Sequence, residues 1–215
     1  MNILITGANR GIGAALLTAA GDRGDTAMGT SRAGDAGLLQ LDVRNPESCR
    51  ALADRLDGTS LDLLVCNAGV YLDRGIAADS LTDTQLWAET FATNVTGVYL
   101  GAMALLPHLK RSQSPKIAII SSQMGSSTRA KGQSYIYRAS KAAAVNLGRN
   151  LAVDLQKDGI AVGIYHPGWV RTDMGTSAAA ITPEESAAGL LARFDALSLA
   201  TSGCFEMWNG DAMPF

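Results

Sequence analysis

The sequence predicts the α/β class: one doubly wound domain over residues 1–215, with a parallel sheet covered by helices on both faces. Short apolar runs alternate with stretches of helical period along most of the chain. A glycine-rich turn follows the first apolar run directly, and no linker, repeat or low-complexity tract interrupts the pattern. A chain of 215 residues suits one domain with a full core.

Taken in order, Asn2-Ile3-Leu4-Ile5 is too short and too apolar for anything but a strand buried on both faces. A helix is expected from Gly11 to Ala20. Thr26–Gly29 and Leu38–Leu41 are weaker strands, and a helix is expected near 46–57. Asp62–Cys66, Lys116–Ile120 and Ile160–Tyr165 are the remaining strands. Helical stretches at 82–109 and 134–157 fall between them.

Composition narrows the function. The chain is 47% hydrophobic and 18% charged, with net charge −2, and has no basic block, so nucleic acid is not expected as its main partner. No apolar run approaches the roughly 18 residues of a membrane span. Met1 leads straight into the first strand, so no signal peptide is expected and the protein is read as cytoplasmic. Cys49, Cys66 and Cys204 are odd in number and far apart. They lack metal-ligand and disulfide spacing, and are expected as reduced core thiols with no metal site.

The turn Thr6-Gly7-Ala8-Asn9-Arg10-Gly11-Ile12-Gly13 closes the first strand and opens the first helix. Its glycines let the backbone approach a phosphate, and the helix end offers N–H groups and a positive dipole. The spacing is G-x-x-x-G-x-G rather than G-x-G-x-x-G; an unliganded flexible turn is the plainer alternative.

Tyr137 and Lys141 are four residues apart and would share one helix face. An ammonium beside a phenol, whose usual pKa is about 10, favours the phenolate and makes Tyr137 a plausible general acid/base. Tyr135 lies about 200° round the same helix and should point elsewhere. At the end of the second strand stands Ser31-Arg32, not the acid that binds a ribose diol. Arg32, with Ser31 as donor and Arg10 as a second cation, suits a 2′-phosphate, so NADP(H) is expected over NAD(H). Asp35 is expected beyond the contact point.

These motifs together resemble the short-chain dehydrogenase/reductase family over nearly the whole chain, and its carbonyl reductase and C-factor-like subgroup in particular. The resemblance implies an NADP-dependent oxidoreductase of Rossmann fold acting on a carbonyl or alcohol. In it, Gly7, Asn9, Arg10, Gly11, Ile12 and Gly13 form the cofactor turn. Asp42 and Val43 contact adenine, and Asn67-Ala68-Gly69 is the turn after the fourth strand. Tyr137 is the acid/base; Lys141 lowers its pKa and bonds the ribose. Ser122 orients the carbonyl, with Ser121 as the lesser alternative. Asn94 holds a proton-return water or ties a helix backbone. Pro167, Gly168, Val170 and Thr172 shape the nicotinamide-side loop. The small-residue stretch between Met174 and Pro183 would be a short lid over an open site. His166 and His108 are read as structural. A non-catalytic NADP-binding sensor or signalling protein on the same fold is the rival reading. Apolar residues spread widely round 86–106 and 139–155 imply a homodimer through these helices.

Overall fold

The strands are β1 (Asn2–Ile5), β2 (Thr26–Ser31), β3 (Leu39–Gln40), β4 (Leu63–Cys66), β5 (Lys116–Ile120), β6 (Ala161–His166) and β7 (Phe205–Met207). The computed structural model describes residues 1–175 and 179–215. All seven strands pair in parallel, in the order β3-β2-β1-β4-β5-β6-β7. Ile3 lies opposite Ala27 on one side and Leu63 on the other, so β1 is central. Strands with helices on both faces must be apolar throughout, and every residue of β4 and β5 is buried.

The helices are α1 (Gly11–Asp22), α2 (Pro46–Arg55), α3 (Thr84–Phe91), α4 (Gly97–Leu109), α5 (Tyr135–Leu155) and α6 (Pro183–Ala196). On one face Leu16 of α1 and Leu190 and Phe194 of α6 pack on Ile3, Ile5 and Val65. On the other, Leu52 of α2, Leu105 of α4 and Leu151 of α5 join Leu4, Leu64 and Ile117. The expected single domain thus appears as one sheet between two helical layers.

Two elements escaped the periodic reading. α6 is introduced by Thr182, whose hydroxyl accepts from the Glu185 N–H while the Glu185 carboxylate accepts from the Thr182 N–H; Pro183 opens the helix. β7 is only three residues long and adds one edge strand. The stretch expected as one helix over 82–109 is broken. A π-turn, Ala92–Thr96, joins α3 to α4. Such turns insert a residue and re-aim a side chain, here that of Asn94.

Candidate active site

The chain's crossover reverses between β1 and β4, and a cleft of about 380 Å³ opens at the carboxyl ends of the strands there. The first wall is the glycine turn. Gly7 has φ +67, and a Cβ on Gly13 would lie 2.3 Å from the Gly7 carbonyl oxygen and 2.5 Å from Asn67 Nδ2. Only glycine lets α1 start this close to the turn. Asn67 Nδ2 donates to the Thr6 and Gly7 carbonyls at 2.9 and 3.0 Å, fastening β4 to the turn. Thr6 Oγ1 accepts from the N–H groups of Asn67 and Ala68, both at 3.0 Å. The α1 N-terminus carries no side-chain cap and no acidic residue in its first turn. Its first N–H groups are thus left without a side-chain partner at the edge of the cleft.

Most of the expected cofactor residues line this cleft: Gly7, Asn9 through Gly13, Ser31, Arg32, Asp42, Val43, Asn67 through Gly69, Tyr137, Lys141, Pro167 and Thr172. Three details differ from expectation. Asp35 is not beyond the contact point: it lines the cleft, and Ser31 Oγ lies 3.2 Å from its carboxylate while accepting from the Gly34 N–H. Arg10 lines the cleft too, but its guanidinium turns to Asp173 at 2.6 Å, where both partners are largely exposed. Gly168 and Val170 do not line it. Gly168 packs beside Ile181 and Trp208, and Val170 is buried and bridged to Ile181, so both act through the loop's shape. Asp42 pairs with Arg44 at 2.7 Å, which holds its carboxyl below the usual range despite burial. Arg44 itself lines the cleft, a residue the sequence did not flag.

The inner end holds the residues expected to act on a carbonyl. Tyr137 and Lys141 lie one turn apart on α5, both buried, with Nζ 5.6 Å from the centre of the Tyr137 ring. Lys141 Nζ donates to the Ile120 carbonyl at 2.9 Å. Burial lowers the Lys141 amine to about 8. Burial pushes the Tyr137 phenol well above its ordinary range; Ser122 beside it opposes the rise, as does Arg74, while Tyr71 and Asp73 add to it. The net shift is therefore opposite to the one the Tyr–Lys spacing implied, because desolvation of the phenolate by burial is its largest cause.

Of the two serines, Ser122 is the one beside the phenol, while Ser121 and not Ser122 lines the cleft. Ser121 Oγ donates instead to the Lys141 carbonyl at 2.9 Å and holds α5 to β5. Two short 3₁₀ turns, Gln123–Gly125 and Ser127–Arg129, absorb the long gap between Ser122 and Tyr137. Asn94 is 1% exposed and does not line the cleft. Its side chain accepts from the Val70 N–H at 2.8 Å and donates to the Val70 carbonyl and Ser140 Oγ. The backbone-tying role is the one this geometry supplies. Tyr135 is 46% exposed and points away from Lys141's face. His166 is buried and lowered by that burial to about 4, so it stays neutral, and His108 bonds the Thr59 carbonyl. Among the described residues, no group of His, Cys, Asp and Glu is arranged to hold a metal ion, and no helix is long and apolar enough to cross a membrane. The lid stretch lies partly outside the described residues, at 176–178.

Two side chains at the phenol had no sequence signal. Tyr71 stacks on Tyr137 with ring centres 4.2 Å apart and planes 21° from parallel. Asp73, fully buried, accepts from the first N–H groups of α5.

A single parallel sheet, an uncapped helix end behind a glycine turn, and a Ser–Tyr–Lys cluster define a nucleotide-binding oxidoreductase fold. The chain belongs to the short chain dehydrogenase family, whose model matches residues 1–181. It is 35% identical over 224 residues to 1-hydroxy-2-glutathionyl-2-methyl-3-butene dehydrogenase of Rhodococcus sp. (strain AD45), covering 97% of this chain and 96% of that protein. It is 34% identical over 168 residues to C-signal of Myxococcus xanthus, covering 77% and 99%. NADPH-bound carbonyl reductase from chicken fatty liver superposes with a TM-score of 0.89 at 31% identity, covering 100% of this chain and 98% of that one.

Proposed function

We propose that this family member is an NADP(H)-dependent oxidoreductase that interconverts a carbonyl and an alcohol, with Tyr137 as the proton donor and acceptor. The observation that carries the reading is the buried Tyr137 beside Ser122 and Lys141 at the inner end of a cleft whose outer end holds Arg32. When bound, the cofactor supplies or takes the hydride. The chain's own groups do the rest. The α1 N-terminus and Gly13 receive the pyrophosphate, and Arg32 and Ser31 receive the 2′-phosphate. Lys141 holds the nicotinamide ribose. Ser122 and Tyr137 donate to the carbonyl oxygen, Tyr137 losing its proton as the oxygen becomes a hydroxyl. The NADPH-bound carbonyl reductase on the same fold supports this choice of cofactor and substrate class.

Turnover of a carbonyl panel with NADPH and with NADH tests the proposal. NADPH consumption that depends on the carbonyl supports it. Cofactor binding without turnover of any carbonyl favours the sensor reading instead. Arg32→Ala is expected to weaken NADPH binding by about 1.5–3 kcal/mol and to leave NADH nearly unchanged. Titration with both nucleotides checks this; equal losses would make Arg32 structural.

We also propose a homodimer through the 86–106 stretch, which runs from α3 through the π-turn into α4, and through α5. Val98, Leu105, Leu151 and Leu155 are consumed by the chain's own core. Tyr99 and Val153 stay 47% and 73% exposed, and Phe91, Val95, Met103, Ala142 and Ala143 are only half-buried. Light scattering at micromolar concentration should give twice the chain mass of 22.4 kDa; a single-chain mass contradicts the dimer.

A further inference from the structure

The loop after β4 leads from the cofactor side of the cleft to the catalytic helix. Asn94 clamps it at Val70 through both backbone groups. Three residues on, Asp73 is wholly buried, and its carboxyl oxygens accept from the Ile136 N–H at 2.8 Å and the Tyr137 N–H at 3.2 and 3.4 Å. These N–H groups belong to the first turn of α5, where no intrahelical carbonyl reaches them.

The usual local cap is missing there. Ser134, at the N-cap position, has φ +49, and its hydroxyl bonds the Tyr71 hydroxyl instead of the helix. Gln133 before it has φ +60. Two successive left-handed residues that are not glycine persist only where their surroundings over-determine them. The surroundings here are the same loop: Asp73 on the helix N–H groups, Tyr71 on Ser134 and stacked on the Tyr137 ring.

We infer that Asp73 is a positioning residue for Tyr137, capping α5 from a distant loop and so fixing the phenol beside Ser122. Its kinetic consequence rests on the oxidoreductase reading; the cap itself does not. Among the described residues, Ser122, Tyr71, Arg74, Asp73 and Lys141 are the polar or charged groups near the Tyr137 side chain, with the Met174 sulfur 4.0 Å from its hydroxyl. Burial is the main reason the phenol stays protonated, and Asp73's charge adds to it, so a neutral replacement makes the phenol a somewhat stronger acid. A cap with only a structural role would not move that titration.

Asp73→Asn keeps one acceptor oxygen and loses the charge; Asp73→Ala loses both. Hydrogen exchange at amides 136 and 137, NADPH binding, and kcat with its pH profile in alcohol oxidation are compared for both variants. D73A is expected to exchange there about tenfold faster or more and to lose about tenfold or more in kcat, with NADPH affinity within about twofold. D73N is expected to keep the protection and to move the acid limb of oxidation, where Tyr137 must be the base, to lower pH. Unchanged exchange at 136 and 137 in D73A overturns the inference, as does an unmoved acid limb in D73N. If D73A does not fold, D73N decides alone. Absence of turnover in the unmutated protein defeats the oxidoreductase reading only, and the exchange rates still decide the cap.

Discussion

Tyr137→Phe is expected to cut carbonyl turnover by about 10²-fold or more while NADPH binding stays within about twofold. The substitution removes one oxygen and keeps the ring that stacks on Tyr71 at 4.2 Å, so the pocket retains its shape. It also removes a buried hydroxyl whose described partners are Ser122 and, at 4.0 Å, the Met174 sulfur, so stability should change little. Steady-state kinetics and fluorescence titration check both halves. Near-normal turnover would take the acid role from Tyr137, and the same loss in Tyr135→Phe would move it.

Lys141→Met should cost about as much turnover, and its pH dependence is distinctive. The amine titrates near 8 in the folded protein, against 10.5 unfolded. Only the ammonium can favour phenolate and bond a ribose at full strength, so reductive turnover should fall as pH rises through about 8. For stability the sign is opposite. The lowered folded pKa means that the unfolded chain binds the extra proton between about 8 and 10.5, so stability rises with pH across that window. Below 8 the buried charge carries its full cost. Lys141→Met removes that cost but strands the Ile120 carbonyl that Nζ now bonds. A net gain on the order of 1–2 kcal/mol is expected at pH 7, shrinking as the pH rises from about 8 and gone by about 10.5. Denaturant titrations at both pH values measure it; a variant less stable at pH 7 would contradict the burial argument.

The parts of the site that lie on one element were legible in the sequence. Tyr137 and Lys141 share a helix face by period alone, and the glycine turn is one local segment between a strand and a helix. The strands β1, β4, β5 and β6 were legible because burial on both faces leaves only apolar runs. The parts that depend on contacts between distant segments were not. Asp73 and Tyr71 meet α5 across more than sixty residues of sequence, and neither carries a motif. Arg10 read as a free cation because nothing local places Asp173 opposite it. Likewise, four-residue spacing correctly paired Tyr137 with Lys141 but says nothing of desolvation, which sets the phenol's direction. The π-turn at Ala92–Thr96 was hidden by an apolar pattern that runs on through it, although its effect is to aim Asn94 at Val70.

Hydride transfer to a carbonyl, with Tyr137 supplying the proton, leaves an isotopic trace. The most direct measurement uses NADPH carrying deuterium on the transferred position of nicotinamide C4, with a carbonyl panel, followed by mass spectrometry of the alcohols. One deuterium is expected on the carbinol carbon of an alcohol formed by the unmutated protein, with its formation suppressed about 10²-fold or more in Tyr137→Phe. Bound NADPH with no labelled alcohol from any carbonyl, or equal labelling rates in the two proteins, would contradict it.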